Sequence, residues 1–329
     1  MRSDGSSRSE AKARARAQNR SWGPAGLEPV IILGPTGVGK TAVAVELARR
    51  LRGEIISADS RGFYRGLEVG TAKPTPEQRR LVPHHLLDIR SPEERYDVAE
   101  FRKDAARLIG EIQGRGRLPI VVGGSTLYIQ ALVGGLFPGP KAEPSLRRRL
   151  LARPLEELYI RLKEVDPRAA LRIKPQDRQR LVRALEVYEL TGRPISELQE
   201  ESEPFPYRFL KFGLTMDRKS LYKRLDERVE EMLSRGLIEE ARQLKARLTP
   251  EMPAYRTIGY EEAFAYLEGR RTLEETVALI KRNTRRLAKR QLTFFRRIPD
   301  VHWLDVTGKA AAEVAEEIIA LLPLSSASP

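Results

Sequence analysis

Cysteine is absent from the 329 residues. That excludes disulfides, thiol nucleophiles and cysteine-bound zinc, and it suits a reducing compartment. Histidine is scarce: His84, His85 and His302 are the only three, too few for a histidine-rich metal centre. Long apolar runs are missing as well. Val30-Ile31-Ile32-Leu33 is typical, against the roughly 20 residues needed to span a bilayer. With 32% charged residues the chain is not an integral membrane protein, while 41% hydrophobic residues suffice for a full core. Acidic residues are also in deficit, 45 against 59 Lys plus Arg, a net charge of +14. Such an excess favours a polyanionic partner, most often nucleic acid, because releasing counterions from phosphates drives association.

What is present divides the chain by texture. Residues 1–28 are rich in Ser, Arg, Ala and Gly and read as a basic disordered tail. They lack the apolar stretch of a secretory signal; an organelle presequence is the minority alternative. From Pro29 the pattern is α/β. Val30–Leu33, Glu54–Ala58 and Pro119–Val122 are predicted strands, with helices over Thr41–Leu51 and Phe101–Ile112. Short apolar strands alternating with helices imply a parallel sheet with helices on both faces. Residues 138–206 hold nine prolines and helical spacing without a convincing strand, and read as a helical insertion domain. A return strand at Phe209–Leu214, helices at Ser220–Leu233 and Leu273–Arg297, and a last strand at Val301–Leu304 complete the core. The domains are therefore 29–137 with 207–310 as the α/β core, 138–206 as the insertion, and 311–329 as a C-terminal helix and tail.

The strongest chemical signal is Gly34-Pro35-Thr36-Gly37-Val38-Gly39-Lys40-Thr41, which fits G-x-x-x-x-G-K-[ST] between a predicted strand and a predicted helix. That is a P-loop NTPase-like diphosphate cradle. Its glycines let backbone N–H groups converge, Lys40 neutralises phosphate oxygens, and the Thr41 hydroxyl can hold Mg²⁺. The Asp that ends a strand in ordinary P-loop ATPases is missing, because Leu118–Val122 runs into Gly123-Gly124-Ser125. A carboxylate appears instead at Asp59, after the second strand. Asp59 is either a turn cap or a functional group, and its place at a strand end beside the phosphate loop favours function.

These residues carry a resemblance. Gly34–Thr41, Asp59-Ser60, Gly70-Thr71-Ala72-Lys73-Pro74, Pro83-His84-His85-Leu86-Leu87-Asp88 and Val122-Gly123-Gly124-Ser125 closely resemble the tRNA dimethylallyltransferase family. Gln179–Glu186, Arg224 with Arg228, Arg256-Thr257-Ile258-Gly259-Tyr260 and Leu287–Thr293 continue it, from about Val30 to Leu304. The resemblance implies that dimethylallyl diphosphate sits in the loop with Mg²⁺ on Thr41. N6 of adenosine 37 in the tRNA anticodon stem-loop attacks C1 of the allyl group, and pyrophosphate leaves. Asp59 would be the general base, Ser125 its hydrogen-bonding neighbour, and Arg228, with Lys40 and Thr36, would stabilise the leaving group. Without the resemblance, Arg224 and Arg228 would read as surface ion pairs with Glu227 or Glu231.

By the same resemblance Asp59, Ser60, Arg61, Gly62, Arg147, Gln179, Arg180, Leu181, Val182, Arg183, Arg256, Gly259 and Tyr260 would touch the tRNA. Two departures stand out. Ser125 replaces the family's usual Thr, losing a methyl that packs, and Gly62 stands where the family often has Gln, which removes any side-chain contact there. The segment Lys281–Arg297 carries eight basic residues and no acid. A charge run usually marks a solvated helix face, but in so basic a chain it points to RNA, through Arg286, Lys289 and Arg290. Phe294 and Phe295 in that segment read as core rather than as a stacking platform. A small-molecule P-loop kinase and a non-catalytic RNA-binding module are the competing readings. With no cysteine in these residues, we expect no zinc-finger extension of the kind many eukaryotic relatives carry. We expect a monomeric, cytoplasmic enzyme of bacterial type.

Overall fold

The structure, a computed structural model, describes residues 28–323. Of the segment 1–28 read as a tail, all but Glu28 lies outside the described residues, as does the end of the C-terminal tail. Six strands form one sheet: β1 (Val30–Leu33), β2 (Gly53–Ser57), β3 (His84–His85), β4 (Leu118–Gly123), β5 (Leu210–Thr215) and β6 (Val301–Asp305), in the order β3-β2-β4-β1-β5-β6. All strand pairings are parallel, with Leu33 opposite Gly123 and Ser57 opposite Val122. Strands covered on both faces lose polar alternation. Accordingly every residue of β1, β2 and β4 is buried. β3 is not among the predicted strands, because two histidines carry no strand signal of their own.

The helices, in chain order, begin with α1 (Lys40–Leu51), α2 (Pro76–Leu81), α3 (Val98–Gly114) and α4 (Thr126–Val133). Five follow in the insertion: α5 (Pro144–Leu151), α6 (Leu155–Val165), α7 (Pro167–Arg172), α8 (Arg178–Thr191) and α9 (Ile195–Leu198). The last are α10 (Arg218–Ser234), α11 (Leu237–Lys245), α12 (Tyr260–Leu267), α13 (Leu273–Phe295) and α14 (Ala311–Leu321). Strand alternation sorts the core into two layers. Val30, Ile32, Ile55, Ile120, Val122, Phe212 and Leu214 pack with Val43, Ala44 and Leu47 of α1 and with Val314, Ala315 and Ile318 of α14. On α3, Phe101 stacks on Tyr128 of α4 at 4.6 Å between ring centres. That helix starts where Asp97 and Glu100 form a reciprocal cap, which fixes its buried stripe Phe101, Ala105, Leu108 and Ile112.

The described residues form two compact units, 28–133 with 206–323, and 134–205. The helical unit has its own core of Leu146, Leu150, Leu158, Leu162, Leu181, Val182, Leu185 and Ile195. Glu186 is buried within it and accepts from Arg147 and Arg183, each at 2.8 Å. None of the described helices is long and apolar enough to cross a membrane.

Candidate active site

The phosphate loop joins β1 to α1 at the carboxyl edge of the sheet. Gly37 and Gly39 have φ of 81° and 101°, and Gly39 caps α1 in the left-handed region with no side-chain cap. The amides of Gly37, Gly39, Lys40 and Thr41 have no hydrogen-bond acceptor among the described residues, so they form a concave set of donors at a helix N-terminus. Nothing acidic lies in the first turn of α1 to compete with an anion. Lys40 Nζ bends back to the Pro35 carbonyl at 2.8 Å. Burial lowers the Lys40 pKa to about 8, with Asp59 opposing the fall and Arg228 adding to it.

Register brings the other strand ends alongside. Gly123 approaches the β2 end so closely that a Cβ there would lie 2.2 Å from the Ala58 carbonyl oxygen, which only glycine permits. Asp59 follows immediately. Its Oδ1 accepts the Arg61 amide at 2.9 Å, and Oδ2 has no hydrogen-bond partner among the described residues. The turn-cap reading is met by Oδ1, and Oδ2 is left open to the cavity. Asp59, Thr36, Lys40, Thr41, Arg224 and Arg228 line one cavity of about 460 Å³.

Arg228 Nη1 donates to Thr36 Oγ1 at 3.3 Å, and burial pulls its pKa below the ordinary arginine value. Neither Arg224 nor Arg228 forms an ion pair with Glu227 or Glu231; Glu227 pairs instead with Lys223 and Glu231 with Arg235. The surface-pair reading of these arginines fails, since both side chains point to the phosphate loop.

Ser125 differs from expectation. Its Oγ accepts the Ser60 amide at 2.8 Å and meets Ser60 Oγ at 3.1 Å, so it fixes the turn after Asp59 and does not touch the carboxylate. Gly62 lines the cavity, where a Cβ would come 3.3 Å from Leu87 Cδ2.

The residues expected to meet tRNA separate into exposed and buried groups. Arg286, Lys289 and Arg290 are exposed and have no ion-pair or hydrogen-bond partner among the described residues. In the same run Arg285 pairs with Asp226 at 2.6 Å and Lys281 pairs with Glu230, so α10 supplies acids that the run itself lacks. Phe295 is fully buried, in keeping with a core role. Gln179 and Arg180 are exposed, with Arg180 3.4 Å from Asp177. Leu181 and Val182 face inward instead, filling the helical core. Arg256 is exposed, whereas Arg61 Nη1 donates to the Pro253 carbonyl at 2.6 Å. Gly259 and Tyr260 are buried. The Tyr260 hydroxyl accepts the Gly70 amide at 2.9 Å and donates to Glu240, whose carboxylate also accepts the Val69 amide at 3.1 Å. Tyr260 therefore braces the cavity wall from behind.

Sequence reasoning missed Gln291, which donates to the Gly124 carbonyl at 2.7 Å and accepts from the Thr36 amide at 2.8 Å. A polar residue in the apolar stripe Ile280, Ala288 and Phe295 of α13 was the available signal.

A parallel sheet, a phosphate loop without the usual second carboxylate, and an acid and two arginines sharing its cavity define a P-loop-type group-transfer site. The IPP transferase family model matches residues 62–298, and the chain belongs to that family of prenyl transferases. A tRNA dimethylallyltransferase of Symbiobacterium thermophilum is 50% identical over 302 residues, covering 89% of this chain and 94% of that protein. One from Pelotomaculum thermopropionicum is 46% identical over 299 residues, covering 88% and 95%. The crystal structure of the tRNA isopentenylpyrophosphate transferase of Bacillus halodurans superposes with a TM-score of 0.68 at 43% identity, covering 89% of this chain and 95% of that one. A eukaryotic dimethylallyltransferase acting on tRNA gives 0.74 at 28% identity, covering 91% and 81%.

Proposed function

We propose that this enzyme transfers a dimethylallyl group from dimethylallyl diphosphate to N6 of adenosine 37 in the tRNA anticodon stem-loop. The observation that carries the proposal is one cavity lined both by the phosphate loop, with its unpartnered amides, and by Asp59, with one carboxylate oxygen uncommitted. The base must leave its stack to reach such a cavity. The N6 lone pair then forms the bond to C1, the C1–O bond breaks, and both its electrons leave on pyrophosphate. Asp59 Oδ2 takes the N6 proton, while Oδ1 stays bonded to the Arg61 amide and keeps the carboxylate aimed. Lys40, Arg224, Arg228 and the loop amides hold the growing negative charge on the leaving group.

The site also fits Mg²⁺. Among the described residues no group of three or more acidic or histidine side chains could cage a metal, but Mg²⁺ commonly needs only one or two protein oxygens beside phosphates and water. Thr41 Oγ1 at the start of α1 is such an oxygen, and the ion would neutralise diphosphate charge there. No carboxylate is required to aim water at a γ-phosphate, which accounts for the Gly123-Gly124 end of β4.

The test is transfer of label. Dimethylallyl diphosphate labelled in its allyl group and γ-labelled ATP are each incubated with the enzyme, with and without tRNA, and the tRNA nucleosides are analysed by mass. Label arriving on one adenosine beside the anticodon supports the proposal; label passing from ATP to a small molecule makes the protein a kinase.

A further inference from the structure

Gln291 lies in the buried face of α13 and is 6% exposed, and both ends of its amide reach the backbone of loops that line the active site. Oε1 holds the Thr36 N–H at 2.8 Å, and Nε2 holds the Gly124 carbonyl at 2.7 Å. The two partners sit on the loops after β1 and after β4, the loops that carry the phosphate-binding amides and Ser125. Space around the amide is closed, since a Cβ on Gly124 would fall 2.7 Å from Nε2.

The ties are selective. Thr36 commits its N–H to Gln291 and its hydroxyl to Arg228, and Pro35 gives its carbonyl to Lys40. The amides of Gly37, Gly39, Lys40 and Thr41 are left without acceptors among the described residues. The first half of the loop is anchored to protein and the second half is left for the anion. Only a side chain that both accepts and donates can clamp an N–H and a carbonyl at once, and a primary amide is the neutral group that does so without adding charge beside a diphosphate.

We infer that Gln291 is a positioning residue that sets the donor-binding shape of the phosphate loop and ties that loop to α13, the helix bearing the exposed cations Arg286, Lys289 and Arg290. The inference rests on the proposed function, which puts an allylic diphosphate in the loop. Gln291 touches neither reactant. A residue that merely fills the core would, when changed, lower stability and the active fraction without favouring one substrate.

Gln291→Met keeps the length and volume and removes both hydrogen bonds. With tRNA and dimethylallyl diphosphate as substrates, we expect its KM for the diphosphate to rise about tenfold, with KM for tRNA within about threefold of the parent and thermal midpoint nearly unchanged. Gln291→Glu supplies a second reading should the first variant fold poorly. Its ionised carboxylate opposes the Gly124 carbonyl, whereas its protonated form restores a donor, so its diphosphate KM should approach the parent's as pH falls from about 8 to about 6.

Pyrophosphate binding to the wild-type enzyme, by calorimetry, separates the two claims. Wild type that binds, with variants that bind weakly, supports the inference. Wild type that binds, with both variants binding equally well, overturns the inference alone. Wild type that does not bind overturns the proposed function and the inference together.

Discussion

At the scale of single residues, the two oxygens of Asp59 are differently engaged, Oδ1 by the Arg61 amide and Oδ2 by no partner among the described residues, and substitution separates the turn from the proposed chemistry. Asp59→Asn retains an acceptor for the Arg61 amide, so the turn and tRNA affinity should survive, while loss of the base should cut turnover by at least about 10²-fold. Single-turnover kinetics beside a tRNA binding curve decide this, and unchanged turnover removes Asp59 from the chemistry. Lys40 carries a pH signature. In the free fold it loses its proton near 8, against 10.5 for an ordinary lysine, because burial disfavours its charge. The unfolded chain therefore holds the extra proton between those two values, and over that window this group's contribution to stability grows as pH rises. If the proposed function holds, a bound diphosphate should offset the burial cost and draw the proton back. At a pH near 8 binding should take up about half a proton at Lys40, and affinity should fall as pH climbs further. Calorimetry in two buffers of different ionisation enthalpy measures the uptake. Lys40→Met subtracts the titration of pyrophosphate itself; equal uptake by both proteins would sink the assignment. Tyr260→Phe should cost about 1 kcal/mol in unfolding experiments and leave tRNA affinity unaltered, because its hydroxyl serves Gly70 and Glu240 rather than solvent.

At the scale of elements, legibility follows how local each signal is. β1 and β4 announce themselves as apolar runs, and α1, α3 and α13 as stripes at helical spacing, because burial on both faces of a strand and on one face of a helix writes those patterns into contiguous sequence. β3 is illegible: His84 and His85 pair with Ile55 and Ile56 through the backbone, and the His85 ring meets Glu54 of β2 at 2.7 Å, a partner 31 positions away. The phosphate loop can be read because its chemistry is contiguous, and Asp59 because it ends a strand. Gln291 shows only as a polar residue in the apolar stripe of α13; its partners cannot be read, since Thr36 and Gly124 lie 255 and 167 positions away in the chain. The charge run is half legible. Its sum is plain, but which cations are free depends on Asp226 and Glu230 of α10. That distinction has a measurable consequence on α13. Charge reversal at Arg286 and Lys289 should weaken tRNA binding and reduce the slope of log affinity against log salt by about 0.7–0.9 for each phosphate no longer neutralised. Arg285→Gln, which breaks an existing pair with Asp226, should shift that slope less. A slope untouched by reversal at 286 and 289 would move the RNA surface elsewhere.

At the scale of the whole molecule, the net charge of +14 is a property of the folded body as much as of its ends, since residues beyond 28 still hold +11 once the six basic and three acidic residues of 1–28 are set aside. Each unit also has its own interior. Leu136 and Glu203 exchange backbone hydrogen bonds of 3.2 and 3.0 Å, which brings the two ends of the helical unit side by side. A short Gly-Ser linker can therefore replace residues 134–205 without stretching α4 away from β5. The Val30, Ile32, Leu47 and Ile318 layer lies wholly within the remaining chain, as do the phosphate loop, Asp59, Arg228 and Gln291. The excised protein should fold cooperatively and bind pyrophosphate within about threefold of the parent, because every group that meets the anion is retained. Its affinity for the anticodon stem-loop should drop at least about tenfold, since Gln179 and Arg180 leave with the insertion and phosphate contacts supply most of such affinity. Calorimetry with pyrophosphate and a stem-loop titration on the same preparation read both halves. Full retention of stem-loop affinity would place the whole RNA-binding surface on the α/β unit, while loss of pyrophosphate binding from a folded preparation would mean the helical unit shapes the phosphate loop as well.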